Sequence, residues 1–134
     1  MQCASGRTYR GSELFLHYYV YTYSDPKNGQ IRYVGKGNYF RAWSHLNESS
    51  NRELHALIKK RQAEGFNVQP LILQLFPESG EKDAYELECK LISYHGRKDL
   101  GLGPLFNYTD GGSKDPGKIT ANALEFRGVH YANL

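Results

Sequence analysis

Two β-rich runs on either side of one turn constrain this chain more than any other feature. Residues 14 to 23, LFLHYYVYTY, are dominated by aromatic and apolar residues, the composition of a strand. SDPKNGQ follows, and its proline, asparagine and glycine favour a turn. Residues 31 to 35, IRYVG, form the return strand. The reading is a β-hairpin. Opposite residues of an antiparallel pair share a face, so register decides which side chains meet. With a loop of Asp25 to Gly29, Ser24 faces Gln30 and Tyr21 lies opposite Tyr33. Tyr19, Tyr21 and Tyr33 then share one face. A four-residue loop would instead put Tyr21 opposite Arg32. The same spacing also suits a tyrosine pair that only stabilises the sheet.

Downstream, Asn38 can cap a short helix over about residues 39 to 47. Ser50 with Glu53 reads as a capping box, Leu54, Leu57 and Ile58 give an apolar stripe, and Gly65 is a helix stop. VQPLILQLF is a third strand, which Pro70 confines to a sheet edge or to its first rungs. A third helix is expected over about residues 80 to 95, stopped at Gly96. Beyond it, GRKDLGLGPLFNYTDGGSKDPGK is loop-like and residues 119 to 134 are weakly patterned. The order β-β-α-α-β-α implies a small α/β (α+β) domain, a three-stranded, mostly antiparallel sheet flanked by helices. A chain of 134 residues is expected to form a single domain.

No apolar run is long enough to span a bilayer, and MQCASGRTYRGSELF lacks the apolar core of a signal peptide. The expectation is an intracellular, cytoplasmic protein with no membrane partner. Cys3 and Cys89 make no disulfide framework, and no Cys/His zinc spacing or nucleotide-type glycine loop occurs. The net charge of +3 permits nucleic-acid binding without establishing it. Eleven tyrosines serve packing, base stacking and proton transfer alike.

Two further constellations carry chemistry. Arg41 and His45, spaced i, i+4, lie on one face of the short helix. A cation beside an imidazole suits phosphate binding and proton transfer, though a solvated helix face has the same pattern. In the third helix Ala84, Leu87, Leu91 and Ile92 form an apolar stripe, and Glu88 occupies a position within it. Glu86 lies with Lys82 and Lys90 on the wet side. A carboxylate on an inner face calls for a partner, either an arginine or a hard cation such as magnesium.

Taken in order, these residues resemble the GIY-YIG nuclease superfamily. Tyr19-Val20-Tyr21 stands at the first triplet and Tyr33-Val34-Gly35 at the second. RAWSH supplies Arg41 and His45, ECKLI supplies Glu88, and LFNYTDGG supplies Asn107. The likeness is nearest to a compact branch of bacterial and phage proteins and the nuclease domain of animal LEM-domain/ankyrin endonucleases. It covers residues 16 to 112 as a catalytic core, leaving 113 to 134 as a short C-terminal extension. The first glycine is absent and a lysine follows Gly35.

The resemblance implies a DNA endonuclease that hydrolyses phosphodiester bonds with one divalent metal, Mg2+ or Mn2+. Glu88 would hold the metal and Arg41 the scissile phosphate. Tyr21 would be the general base, with His45 sharing or relaying the proton. Tyr33 would position water or phosphate, and Asn107 would order the site from the far loop. Lys36, Tyr19 and Lys114 would contact nucleic acid, and Lys36 could instead lower a neighbouring tyrosine pKa. Without a second recognition domain, branched or flexible DNA or low sequence specificity is expected, from a monomer or a homodimer. The alternative is a non-catalytic nucleic-acid-binding module using the same basic and aromatic surface.

Overall fold

The computed structural model describes residues 17 to 111. Cys3, Lys114 and the 113 to 134 extension lie outside the described residues. Strand β1 (Tyr18–Ser24) is central, with β2 (Ile31–Asn38) on one side and β3 (Leu71–Phe76) on the other. Helices α1 (Arg41–Ser44) and α2 (Arg52–Ala63) separate β2 from β3, and α3 (Glu81–His95) follows. The expected α+β order and three-stranded sheet are observed, and both strand pairings are antiparallel. No described helix is long and apolar enough to cross a membrane.

The local signals explain most element ends. Gly65 takes φ 94°, a conformation costly for any side chain, and stops α2. β3 begins at Leu71, directly after Pro70, and lies on a sheet edge. The cap of α2 is Asn51 rather than Ser50: its side chain accepts the Leu54 N–H at 3.0 Å. Helix α1 is shorter than expected because β2 continues to Asn38, and Tyr39 then turns the chain at φ 53°. Phe40, at the helix start, is half exposed.

The sheet is covered on both faces, which is why β1 reads as a continuous apolar run. Tyr19, Tyr21 and Tyr23 pack with Ala42, Leu54, Ile58, Ile72 and Phe106 on one face. Val20, Val34 and Phe76 pack with Ala84, Ile92 and Leu105 on the other. Removing a ring buried this fully costs about 3 to 5 kcal/mol.

The hairpin register differs from expectation. Tyr21 pairs with Gly35, not with Tyr33; Tyr33 pairs with Tyr23. Ser24 pairs with Ile31, so the turn is one residue longer than expected, and a bulge at Arg32 adds a second residue. Two one-residue displacements sum to two, which restores the original face. Tyr21 and Tyr33 therefore remain neighbours, diagonal rather than opposite, with ring centroids 6.3 Å apart. The turn is pinned by Asp25, whose buried carboxylate receives Arg61 of α2 at 2.8 and 2.9 Å. That pairing holds the Asp25 carboxyl near 2, below its usual range.

Candidate active site

A cleft of about 350 Å3 opens at the β2 edge of the sheet. Tyr21, Tyr33 and Arg41 reach it from one face of the sheet, and Lys36, Glu81, Tyr85 and Glu88 from the other. Two glycines permit this meeting. A Cβ at position 35 would lie 2.3 Å from Cζ of Tyr21, so the tyrosine ring lies across bare backbone. At position 37 a Cβ would lie 3.0 Å from Cβ of Arg41. The segment Gly35-Lys36-Gly37 thus brings a strand tyrosine and a helix arginine to the same opening.

His45 stands behind this wall. It caps the end of α1, is 8% exposed, and lies 2.8 Å through Nε2 from the Tyr21 hydroxyl. Its Nδ1 lies 2.8 Å from Oγ of Ser49, which also accepts the Asn51 N–H. If Nδ1 donates to Ser49, Nε2 is left to accept the Tyr21 proton. Arg41 and His45 therefore do not share a wet helix face. The arginine is exposed at the cleft, and the histidine is buried beneath Tyr21.

Burial governs the proton affinities. Burial pushes the Tyr21 hydroxyl above the usual tyrosine range; Tyr33 adds to this, and the Arg41 charge opposes it without prevailing. Tyr33 is pushed up to about 12, by burial and then by the Glu88 charge. Burial, aided by Arg41, lowers His45 to about 4. Near neutral pH the pair is a phenol with its proton beside an uncharged imidazole. The Tyr21 proton has a neighbour that can accept it in His45.

Lys36 lines the cleft, but its ammonium is 2.9 Å from Glu81 and packs over the rings of Tyr18 and Tyr85. The positive charge that opposes the rise at Tyr21 is that of Arg41. Tyr19 is fully buried and cannot face nucleic acid. Its hydroxyl donates to the Tyr39 carbonyl at 2.8 Å and accepts the Ala42 N–H at 3.0 Å. It thereby supplies the N-terminal cap that α1 lacks from its own side chains, and fixes the helix that carries Arg41.

Asn107 ties the far loop to the edge strand. Its Oδ1 accepts the Val34 N–H at 3.0 Å, and its Nδ2 donates to the Val34 carbonyl at 2.8 Å. The same loop is held by Asn51, whose Nδ2 donates to the Phe106 carbonyl at 2.8 Å. Ser49, Tyr18, Glu81, Tyr85 and Thr109 belong to the site or its support and escaped the sequence reading. Ser49 lies four residues after His45, and Tyr85 lies one helical turn before Glu88; those spacings were the available signals.

Glu88 is 7% exposed and lines the cleft, while Glu86 is exposed on the opposite side of α3. Among the described residues no three His, Cys, Asp or Glu side chains gather as a metal cage. The donor set instead suits a hard cation that takes one carboxylate and completes its shell with water and phosphate oxygens.

The chain matches no known protein family, no curated protein and no solved structure.

Proposed function

We propose that this cleft hydrolyses phosphodiester bonds in DNA with a divalent cation, Mg2+ or Mn2+, as a nuclease of GIY-YIG type. The observation that carries the reading is the convergence of Tyr21, Tyr33, Arg41 and Glu88 on one opening, with His45 2.8 Å behind Tyr21. Hydrolysis of a phosphodiester needs a proton acceptor for water, neutralisation of the phosphate and assistance to the leaving oxygen. The cation would supply charge stabilisation and Lewis acidity. Glu88 would hold it. Arg41, the exposed cation of the cleft wall, would bind the phosphate and the charge that grows on it. Tyr21 would take the water proton as it passes its own to Nε2 of His45, so no tyrosinate need accumulate. Tyr33 would orient the water or a phosphate oxygen, and Asn107 would keep the edge strand in place.

The test is a supercoiled plasmid incubated with the protein, with and without Mg2+ or Mn2+. Metal-dependent relaxation or linearisation is the expected result. A gel shift without cleavage would replace hydrolysis by binding, and neither signal would overturn both.

A further inference from the structure

His45 sits among three tyrosine rings, with the centroids of Tyr21, Tyr23 and Tyr33 at 5.9, 5.5 and 5.1 Å from its own. Among the described residues its ring nitrogens meet two hydroxyl groups, Tyr21 at Nε2 and Ser49 at Nδ1, each at 2.8 Å, and no carboxylate. In a serine-protease triad a carboxylate behind the imidazole stabilises the imidazolium that forms. Here a neutral hydroxyl stands in that place, and the Arg41 charge opposes a second positive charge on the ring. A proton that arrives at Nε2 is therefore best matched by one that departs from Nδ1. Ser49 is placed to receive it. Its Oγ accepts the Asn51 N–H at 3.2 Å, which leaves a lone pair for Nδ1 and its own proton to donate. The side chain is partly exposed, and Asn47, Glu48 and Ser50 around it are exposed. The turn between α1 and α2 thus opens to solvent on the Nδ1 side of the imidazole.

From this chain of contacts we infer that Tyr21, His45 and Ser49 form a proton path from the cleft to solvent at the α1–α2 turn, with Ser49 the positioning residue that holds His45 in its Nδ1–H tautomer. The inference rests on the hydrolase reading for the source of the proton and goes beyond it by giving that proton an exit. The attacking water passes a proton to the Tyr21 oxygen as the Tyr21 proton moves to Nε2 of His45. Nδ1 releases its proton to Oγ of Ser49, and the Ser49 proton passes to bulk water. The hydroxide bonds to phosphorus, and the leaving oxygen departs with the bonding pair and takes up a proton from solvent. One proton enters the path and one leaves it. The imidazole exchanges one neutral tautomer for the other, so no charge is left among the tyrosine rings, and exchange with solvent restores the first tautomer between turnovers.

Two-bond 1H–15N NMR of the DNA-free protein near neutral pH reads the tautomer directly, with the His45 signals assigned by their loss in His45→Gln. The wild type should carry its ring proton on Nδ1, and Ser49→Ala should move it to Nε2. Ser49→Thr, which keeps a hydroxyl, should keep the wild-type pattern. A wild-type ring protonated at Nε2, which needs no Ser49 variant to fold, overturns the path. So does a pattern unchanged in Ser49→Ala, because a serine that only braced the turn would leave the tautomer where it was. Single-turnover plasmid cleavage in Mg2+ gives the second readout. Ser49→Ala should cut roughly 10- to 100-fold more slowly, the range for an outer hydrogen-bond partner of a working imidazole, with DNA binding unchanged, and Ser49→Thr should recover most of the loss. In mixtures of H2O and D2O the wild-type rate should depend on deuterium content along a curve, since several protons move together, and the Ser49→Ala rate along a straighter line. Cleavage by Ser49→Ala at the wild-type rate sinks the path and leaves the nuclease. The expected tautomers without cleavage by the wild type sink the nuclease and leave the path.

Discussion

The Tyr21 hydroxyl lies 2.8 Å from Nε2 of His45, and of the two only Tyr21 lines the cleft. The histidine acts on anything in the cleft through the tyrosine. The two should therefore behave as one unit. Tyr21→Phe keeps the packed ring and removes the relay, and His45→Ala removes the proton acceptor. Each should slow single-turnover cleavage by about 10²- to 10⁴-fold. The double variant should be little slower than the slower single one. Multiplicative losses would show that the residues act separately.

Protonation of His45 sets a pH prediction. Its folded value is lowered to about 4 from the ordinary 6.5. The stability tied to the neutral ring is therefore complete above pH 6.5 and is lost as pH falls from 6.5 towards 4. The loss is at most roughly 3 kcal/mol. His95, also lowered by burial, adds a loss that likewise begins as pH falls below 6.5. Asp25, held near 2 against an ordinary 3.8, adds a second loss as pH falls through 3.8 towards 2. Urea unfolding between pH 7 and 4 should show the first loss, flattened in part by His45→Gln. Cleavage rate should lack a histidine inflection near pH 6.5, and finding one would mean that His45 is more solvated than its burial implies.

Glu88 and Glu86 provide a paired test on one helix. Glu88→Ala should abolish cleavage and leave DNA binding within a few-fold, because the carboxylate is expected to hold the cation and not the DNA. Mn2+ binding followed by electron paramagnetic resonance should fall in parallel. Glu86→Ala, on the exposed side of α3, should change neither. Wild-type cleavage by Glu88→Ala would remove the metal role.

At Gly35 a single methyl group is the probe. A Cβ there would sit 2.3 Å from Cζ of Tyr21 and 2.5 Å from its hydroxyl oxygen. Gly35→Ala should cost about 1 to 3 kcal/mol as an overpacked site. It should also slow cleavage by displacing the ring from His45. Gly37→Ala should be milder, since its nearest contact, Cβ of Arg41 at 3.0 Å, is less severe than the 2.3 Å contact at Gly35. Denaturant midpoints and single-turnover rates measure both.

Asn107→Ala removes both hydrogen bonds to Val34 of the edge strand. Loss of these partners should cost about 1 to 3 kcal/mol. Amide exchange should accelerate at Val34 before it does in β1. Unchanged protection at Val34 would place the hold on β2 elsewhere.

The hairpin, the three helices and the third strand were legible in the sequence because each rests on local chemistry. Turn residues at Pro26, Asn28 and Gly29 mark the reversal, Gly65 and Gly96 end helices, and the stripe of Ala84, Leu87, Leu91 and Ile92 puts Glu88 on an inner face. Face parity survived as well, since Tyr21 and Tyr33 do lie together. The register did not, because it is the sum of one extra turn residue and one bulge at Arg32, and the turn is gripped from a distance by Arg61 on Asp25. Tyr19 looked like a surface ring until α1 packed over it and used its hydroxyl as a cap. The spacing of Arg41 and His45 suggested one shared face; the end of α1 at Ser44 sent one outward and the other under Tyr21. Proton affinity belongs wholly to the tertiary level. The same histidine in an open helix would titrate near 6.5, and it is the removal of water by β1, β2 and the Ser49 turn that makes it a neutral partner for Tyr21.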